Sequence, residues 1–128
     1  MVRQSYNGER SGCESQMKHL FREAKRIALK GDRLRKHCLG AIGVRRDGVI
    51  VKSSNLPNRL PEIHAHAEAR VVRKLGWGGT VYVVRVKRDG TLALARPCKH
   101  CQGIMRSNGV RHCYYSISDT EFGVINYV

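Results

Sequence analysis

The chain of 128 residues suits one compact domain, and its 24 Lys and Arg against 10 Asp and Glu give a formal net charge of +14. No apolar run reaches the roughly 18 residues that a membrane span needs, and Met1-Val2-Arg3-Gln4-Ser5-Tyr6 has no apolar core, so neither a membrane partner nor a secretory signal is expected. Five cysteines, an odd number with two in a C-x-x-C, exclude a simple disulfide framework and point to metal binding in a reducing, cytoplasmic setting.

Residues 1–10 read as a flexible polar start, and residues 11–128 as a single domain. From about Glu14 to Lys30, Met17, Leu20, Phe21, Ala24, Ile27 and Ala28 recur at helical spacing and predict an amphipathic helix that Gly31 ends. Lys18, Arg22 and Arg26 form a basic stripe on another face, with Lys25 nearby; a solvated face explains it, as does an anion surface. The pattern then changes to strand over Cys38–Val44, turns at Arg45-Arg46-Asp47-Gly48, and returns over Val49–Ser53, a hairpin signal that predicts an antiparallel pair.

Ser54 to Pro61 reads as a loop, and a helix follows from Ile63 or His64 to about Leu75. Val81–Val86 is apolar enough for the middle of a sheet. A second Lys-Arg-Asp-Gly turn leads through Thr91–Ala95 to a helix from Pro97 to about Ser107, stopped by Asn108-Gly109. Val110–Ser116 is a further strand. The segment from Phe122 to Val128 follows too closely for a crossover of a dozen residues, so a last strand there must run antiparallel to the fourth. The order is αββαβαββ.

Two short motifs carry the chemistry: His66-Ala67-Glu68 and Pro97-Cys98-Lys99-His100-Cys101. Zinc takes nitrogen and thiolate ligands in a tetrahedron, and a catalytic site leaves one position for water. His66, Cys98 and Cys101 supply three ligands, and Glu68 is left to carry protons. Both motifs fall at helix starts, where unpaired N–H groups and the helix dipole favour negative charge. Cys98 and Cys101 share one helix face at a spacing of three. The combined pattern H-x-E…P-C-x-x-C is the signature of zinc deaminases, in which a hydrolytic attack on a ring carbon is assisted by a carboxylate that shuttles protons. A structural zinc knuckle closed by Cys98, Cys101, His112 and Cys113 is the competing reading. His64 and His100 read as surface or supporting residues, Cys13 and Cys38 as inert.

On these motifs the chain resembles the cytidine/deoxycytidylate deaminase superfamily, most like small phage or bacterial members with His-Ala-Glu-Ala-Arg in the first motif and Pro-Cys-x-x-Cys in the second. The resemblance covers about Leu39 to Ser116. It implies a three-layer α/β/α sandwich around a five-stranded mixed sheet, zinc held by His66, Cys98 and Cys101, and Glu68 as catalytic proton shuttle. It further implies substrate contacts from Asn55, in the loop before the first motif helix, and from backbone groups near Ala67 and Pro97. Arg96 departs from the usual acidic or small residue before Pro-Cys, and puts a cation at the rim where a phosphate would sit.

The expected function is zinc-dependent hydrolytic deamination of cytosine to uracil in a (deoxy)cytidine nucleoside or nucleotide. The expected partners are that pyrimidine substrate, further copies of the chain in a homo-oligomer and, from the charge, single-stranded nucleic acid. Two alternatives stay open: cytosine deamination within single-stranded DNA or RNA, and a non-catalytic zinc-stabilised module that binds nucleic acid.

Overall fold

In a computed structural model, residues 2–5, 12–30, 37–54, 67–87 and 89–127 are described. They form a mixed β-sheet with helices on both faces. The strands are β1 (Val2–Ser5), β2 (His37–Val44), β3 (Ile50–Ser54), β4 (Thr80–Lys87), β5 (Leu92–Ala93), β6 (His112–Ser116) and β7 (Glu121–Asn126). The helices are α1 (Gly12–Lys30), α2 (Ala67–Leu75) and α3 (Lys99–Ser107). The path across the sheet is β1-β7-β6-β4-β2-β3, and the short β5 pairs with β4 off that path. All five expected strands are present, and the last is antiparallel to β6 as the short tail requires.

Two strands were not expected. Val2–Ser5, a polar stretch with no strand pattern, pairs antiparallel with β7 in the register Val2 to Val124. Leu92–Ala93 pairs with Val86 and Arg85. β6 accompanies β4 only from Thr80 to Val83, and β5 takes over its edge from there. The Ser116 hydroxyl joins the two by donating to Ala93 O at 2.8 Å, and Ala95 N donates to Ser116 O at 2.8 Å. This hand-over delivers Arg96 to Cys98 to the end of the sheet where β4 and β6 finish.

Alternation along the strands divides the core in two. Ala41, Val81, Val83, Cys113, Tyr115 and Ile125 face α2 and α3, whose Val71, Val72, Leu75 and Met105 complete that layer. Ile42, Tyr82, Val84 and Val86 face α1 and meet its Leu20, Phe21, Ala24 and Ala28. Phe21 stacks on Phe122 with centroids 4.1 Å apart and meets Tyr82 edge-on at 5.5 Å. No described helix is long and apolar enough to cross a membrane.

α1 lies unusually close to β2. A Cβ on Gly40 would fall 2.1 Å from Ala24 O and 2.7 Å from Ala28 N, both helix backbone atoms. A side chain there can be admitted only by lifting the helix off the sheet. Gly40→Ala is therefore expected to lose about 1–3 kcal/mol, the usual range for overpacking. Gly103→Ala, whose new methyl would meet nothing within 4 Å on exposed α3 surface, should gain up to about 1 kcal/mol from helix propensity. Thermal unfolding of the two variants side by side checks both signs.

Candidate active site

α2 and α3 each precede a strand, β4 and β6, and those two strands are parallel neighbours. Both helices lie on the same face of the sheet and run back against it. Their N-termini therefore arrive at the same end, where β4 and β6 finish. The first turn of α2 brings Ala67, Glu68 and Ala69, all buried, with Glu68 4 % exposed. A carboxylate so enclosed is uncommon and needs local polar or charged company.

At the other helix start, Cys98 occupies the N-cap in extended backbone conformation, and its side chain does not cap the helix's own N–H groups. Its carbonyl accepts Gln102 N at 2.9 Å, while the Gln102 side-chain amide donates to Pro97 O at 2.9 Å, which fixes the turn. Cys98 is exposed and Cys101 fully buried. The two sulfurs are hydrogen-bonded to each other, and the backbone N–H of Ala69 reaches the Cys101 sulfur from the first turn of α2. Burial pushes the Cys101 thiol well above its ordinary range, and the Glu68 and Cys98 charges push the same way. Burial and then Glu68 also raise the thiol of Cys113, which stands on β6 beneath the helices. Glu68, Cys98 and Cys101 thus share one electrostatic neighbourhood.

His66, the third expected ligand, and Asn55, the expected substrate contact, lie outside the described residues, as does His64. Among the described residues, no group of three His, Cys, Asp or Glu side chains is placed to hold a metal. The donor chemistry nevertheless suits zinc. Two thiols at a helix start, one buried against a backbone N–H and a carboxylate, concentrate negative charge that a divalent cation neutralises. Ala67 and Pro97, within the two motifs, are buried, and Arg96 is exposed. His100 is exposed.

The knuckle reading fails on strand geometry. His112 and Cys113 are consecutive on β6 and so face opposite sides of the sheet. His112 Nδ1 lies 2.7 Å from Asn126 Oδ1, and its ring stands by Tyr114 on the α1 side, away from Cys101. Arg70 borders the site, and Tyr127 lies under α3 toward that helix's C-terminal end. Tyr127 is half-buried, its hydroxyl 3.7 Å from Met105 Sδ and its ring 5.7 Å from the Arg106 guanidinium carbon. Burial raises its phenol, as do Cys113 and Cys101, while Arg106 and Arg96 act the other way. Strand alternation from Ile125 would have found it. Arg70, on the turn after Glu68, donates to Ser54 O and so anchors α2 to the end of β3.

Residues 14–117 match the family model for the zinc-binding region of cytidine and deoxycytidylate deaminases. Among solved structures, the fold is similar to that of a cytidine deaminase from Mycobacterium leprae, with a TM-score of 0.61 at 19% identity, covering 86% of this chain and 92% of that one. It is likewise similar to one from Burkholderia pseudomallei, with a TM-score of 0.63 at 17% identity over 86% and 91% of the two chains. No curated protein matches the sequence.

Proposed function

We propose, for a chain that belongs to the cytidine and deoxycytidylate deaminase family and is a zinc-dependent hydrolytic deaminase, that its substrate is a cytosine-type base in a (deoxy)cytidine nucleoside or nucleotide. The observation that carries this reading is the buried Glu68 on the first turn of α2, within electrostatic reach of the Cys101 thiol at the start of α3. A zinc site with only a structural role has no need of that carboxylate, which is why the non-catalytic reading is the weaker one.

In this reading His66, Cys98 and Cys101 hold the metal, which when bound supplies a nucleophile from water at neutral pH. Glu68 takes one proton from the attacking water and passes it to the ring nitrogen, then takes the second from the hydroxyl of the adduct and passes it to the departing amine. Water adds at the carbon bearing the amine, the C–N bond breaks, and uracil and ammonia leave. Glu68 is 4 % exposed, so the proton it holds is shielded from exchange with bulk water. Backbone groups at Ala67 and Pro97, with Asn55, would meet the base and sugar. Arg96, which is exposed, would meet a 5′-phosphate.

The charge of +14 favours a second reading, deamination of cytosine within single-stranded DNA or RNA. One panel separates the two: ammonia release from cytidine, deoxycytidine, their monophosphates and cytosine-containing single strands. Release from the free compounds, fastest with the monophosphates if Arg96 acts as proposed, is the expected result. Release confined to oligonucleotides would reverse the order of the two readings. Release from none of them would overturn the cytosine assignment and send the search to other amino-bearing bases.

A further inference from the structure

The turn that follows α2 carries the chain's single tryptophan, and its ring is 64 % exposed. Trp77 lies at the C-terminal end of α2, about 10 Å of helix beyond Glu68 and at the opposite end of the sheet from the candidate active site. A lone tryptophan is more often packing than binding. This one is packed on a single side only. A Cβ on Gly109 would fall 2.5–2.9 Å from the ring atoms Cε2, Cζ2 and Cδ2, so the indole rests on the bare backbone of that glycine. Gly109 also has φ +73, which a residue with a side chain adopts only under strain.

Next to the ring is a cleft of about 440 Å³ lined by Arg45, Arg46, Asp47, Leu75, Gly76 and Trp77. Arg46 is seated in the same way as the tryptophan: a Cβ on Gly78 would fall 2.6 Å from its Cδ. Gly78 N donates to Asn108 O at 2.8 Å and Arg111 N to Gly79 O at 2.9 Å, so the turn is tied to the segment bearing Gly109 and Arg111. Two arginines thus line the cleft, and exposed Arg111 stands across from Gly79. The one carboxylate in the lining, Asp47, is engaged by Arg45 at 3.3 Å and by Val49 N at 3.1 Å. An aromatic face held in place beside guanidinium groups, on a surface of net positive charge, has the two elements that single-stranded nucleic acid requires: a platform for a base and cations for the phosphates.

We propose that this cleft, remote from the catalytic end, is a docking site for single-stranded nucleic acid, with an unstacked base on the open face of Trp77 and the adjacent phosphate on Arg46. The site does not depend on which substrate the deaminase takes. It would hold a strand to the enzyme whether or not that strand is deaminated.

The tryptophan reports on its own surface. Titrating the full-length protein at low salt with oligo-dT and with oligo-U, while exciting the indole selectively, should quench its fluorescence. Quenching by either strand supports the site, and the better quencher identifies the source. Each phosphate neutralised contributes about −0.7 to the slope of log affinity against log salt. Trp77→Ala should weaken binding measured by anisotropy of a labelled strand roughly 5- to 150-fold, as loss of a base-stacking ring does. Arg46→Gln, which leaves the ring in place, should keep the quenching but lower the salt slope by about 0.7. No quenching at low salt overturns the proposal. So does affinity unchanged in both variants, which would move the strand to another basic surface such as the Lys18, Arg22 and Lys25 cleft against Phe122. A change of oligomeric state in Trp77→Ala with strand affinity intact overturns it in favour of a contact between copies of the chain.

Discussion

Replacing Glu68 by glutamine should lower turnover on the identified substrate by at least roughly 10²–10⁴-fold, the contribution of a positioned acid–base group, while zinc content stays at about one per chain. Glutamine fills the same volume in a site that is 4 % exposed, so packing is preserved. What is lost is the ability to accept a proton and hand it on. Glu68 also bears on the Cys101 and Cys113 thiols as a nearby negative charge, and its neutralisation removes that repulsion from the sulfurs. Metal binding should therefore survive, and thermal stability should not fall. Turnover and elemental analysis on the same preparation check the pair of outcomes; near-native turnover would refute the proton-shuttle role.

Cys101→Ala should abolish stoichiometric zinc and destabilise the fold, and Cys98→Ala should do the first with less of the second. Cys101 is fully buried between α3 and α2, with a backbone N–H of Ala69 on its sulfur, so its removal opens a gap and strands a donor. Cys98 is exposed, and the helix start keeps its Cys98 O to Gln102 N bond whatever the side chain. A metal present at 100–1,000 times its dissociation constant stabilises the folded state by about 2.7–4.1 kcal/mol, and both variants forgo it. Chelating the wild-type protein should reproduce the stability loss of Cys98→Ala but fall short of that of Cys101→Ala. Full zinc retention in both variants, by elemental analysis, would sink the assignment of these thiols.

The parts of the fold legible in the sequence were those written in periodicity. The stripe from Leu20 to Ala28 forecast the face of α1 that is buried, and Asp47-Gly48 and Asp89-Gly90 forecast two tight turns. β1 and β5 carried no such mark. Val2–Ser5 is a polar stretch that becomes a strand because β7 offers it an open edge, and Leu92–Ala93 because β6 gives up the edge of β4. At the candidate site, Glu68, Cys98 and Cys101 stand out in the sequence because zinc chemistry constrains both residue type and spacing, and the fold brings the three into one electrostatic neighbourhood. For Tyr127 only the facing is legible, by alternation from Ile125; nothing in a seven-residue tail says which neighbours it meets on that face. The pairing of His112 with Cys113 as joint ligands looked sound by spacing and fails only because strand neighbours point apart. Trp77 was undecidable by type alone; its exposure follows from the turn between α2 and β4 and from the absence of a side chain at Gly109.

The pairing of β1 with β7 sets an order of assembly. Within this sequence Val2–Ser5 is made well before its partner, residues 121–124, and nearly all of the described chain lies between them. Until β7 is made, the three helices can already close over β2, β3, β4 and β6, but the outer edge of β6 stands bare, with unpaired backbone groups able to recruit a strand from another nascent chain. The four-residue turn after Ser116 keeps that interval short, because β7 folds straight back onto β6 as soon as it appears. β1 then joins from the far end of the chain, closing a loop that spans nearly the whole domain. Val2–Ser5 is thus made before β7 and placed after it, and it closes that edge of the described sheet with a short strand of polar sequence, Arg3-Gln4-Ser5, a poor template for further growth.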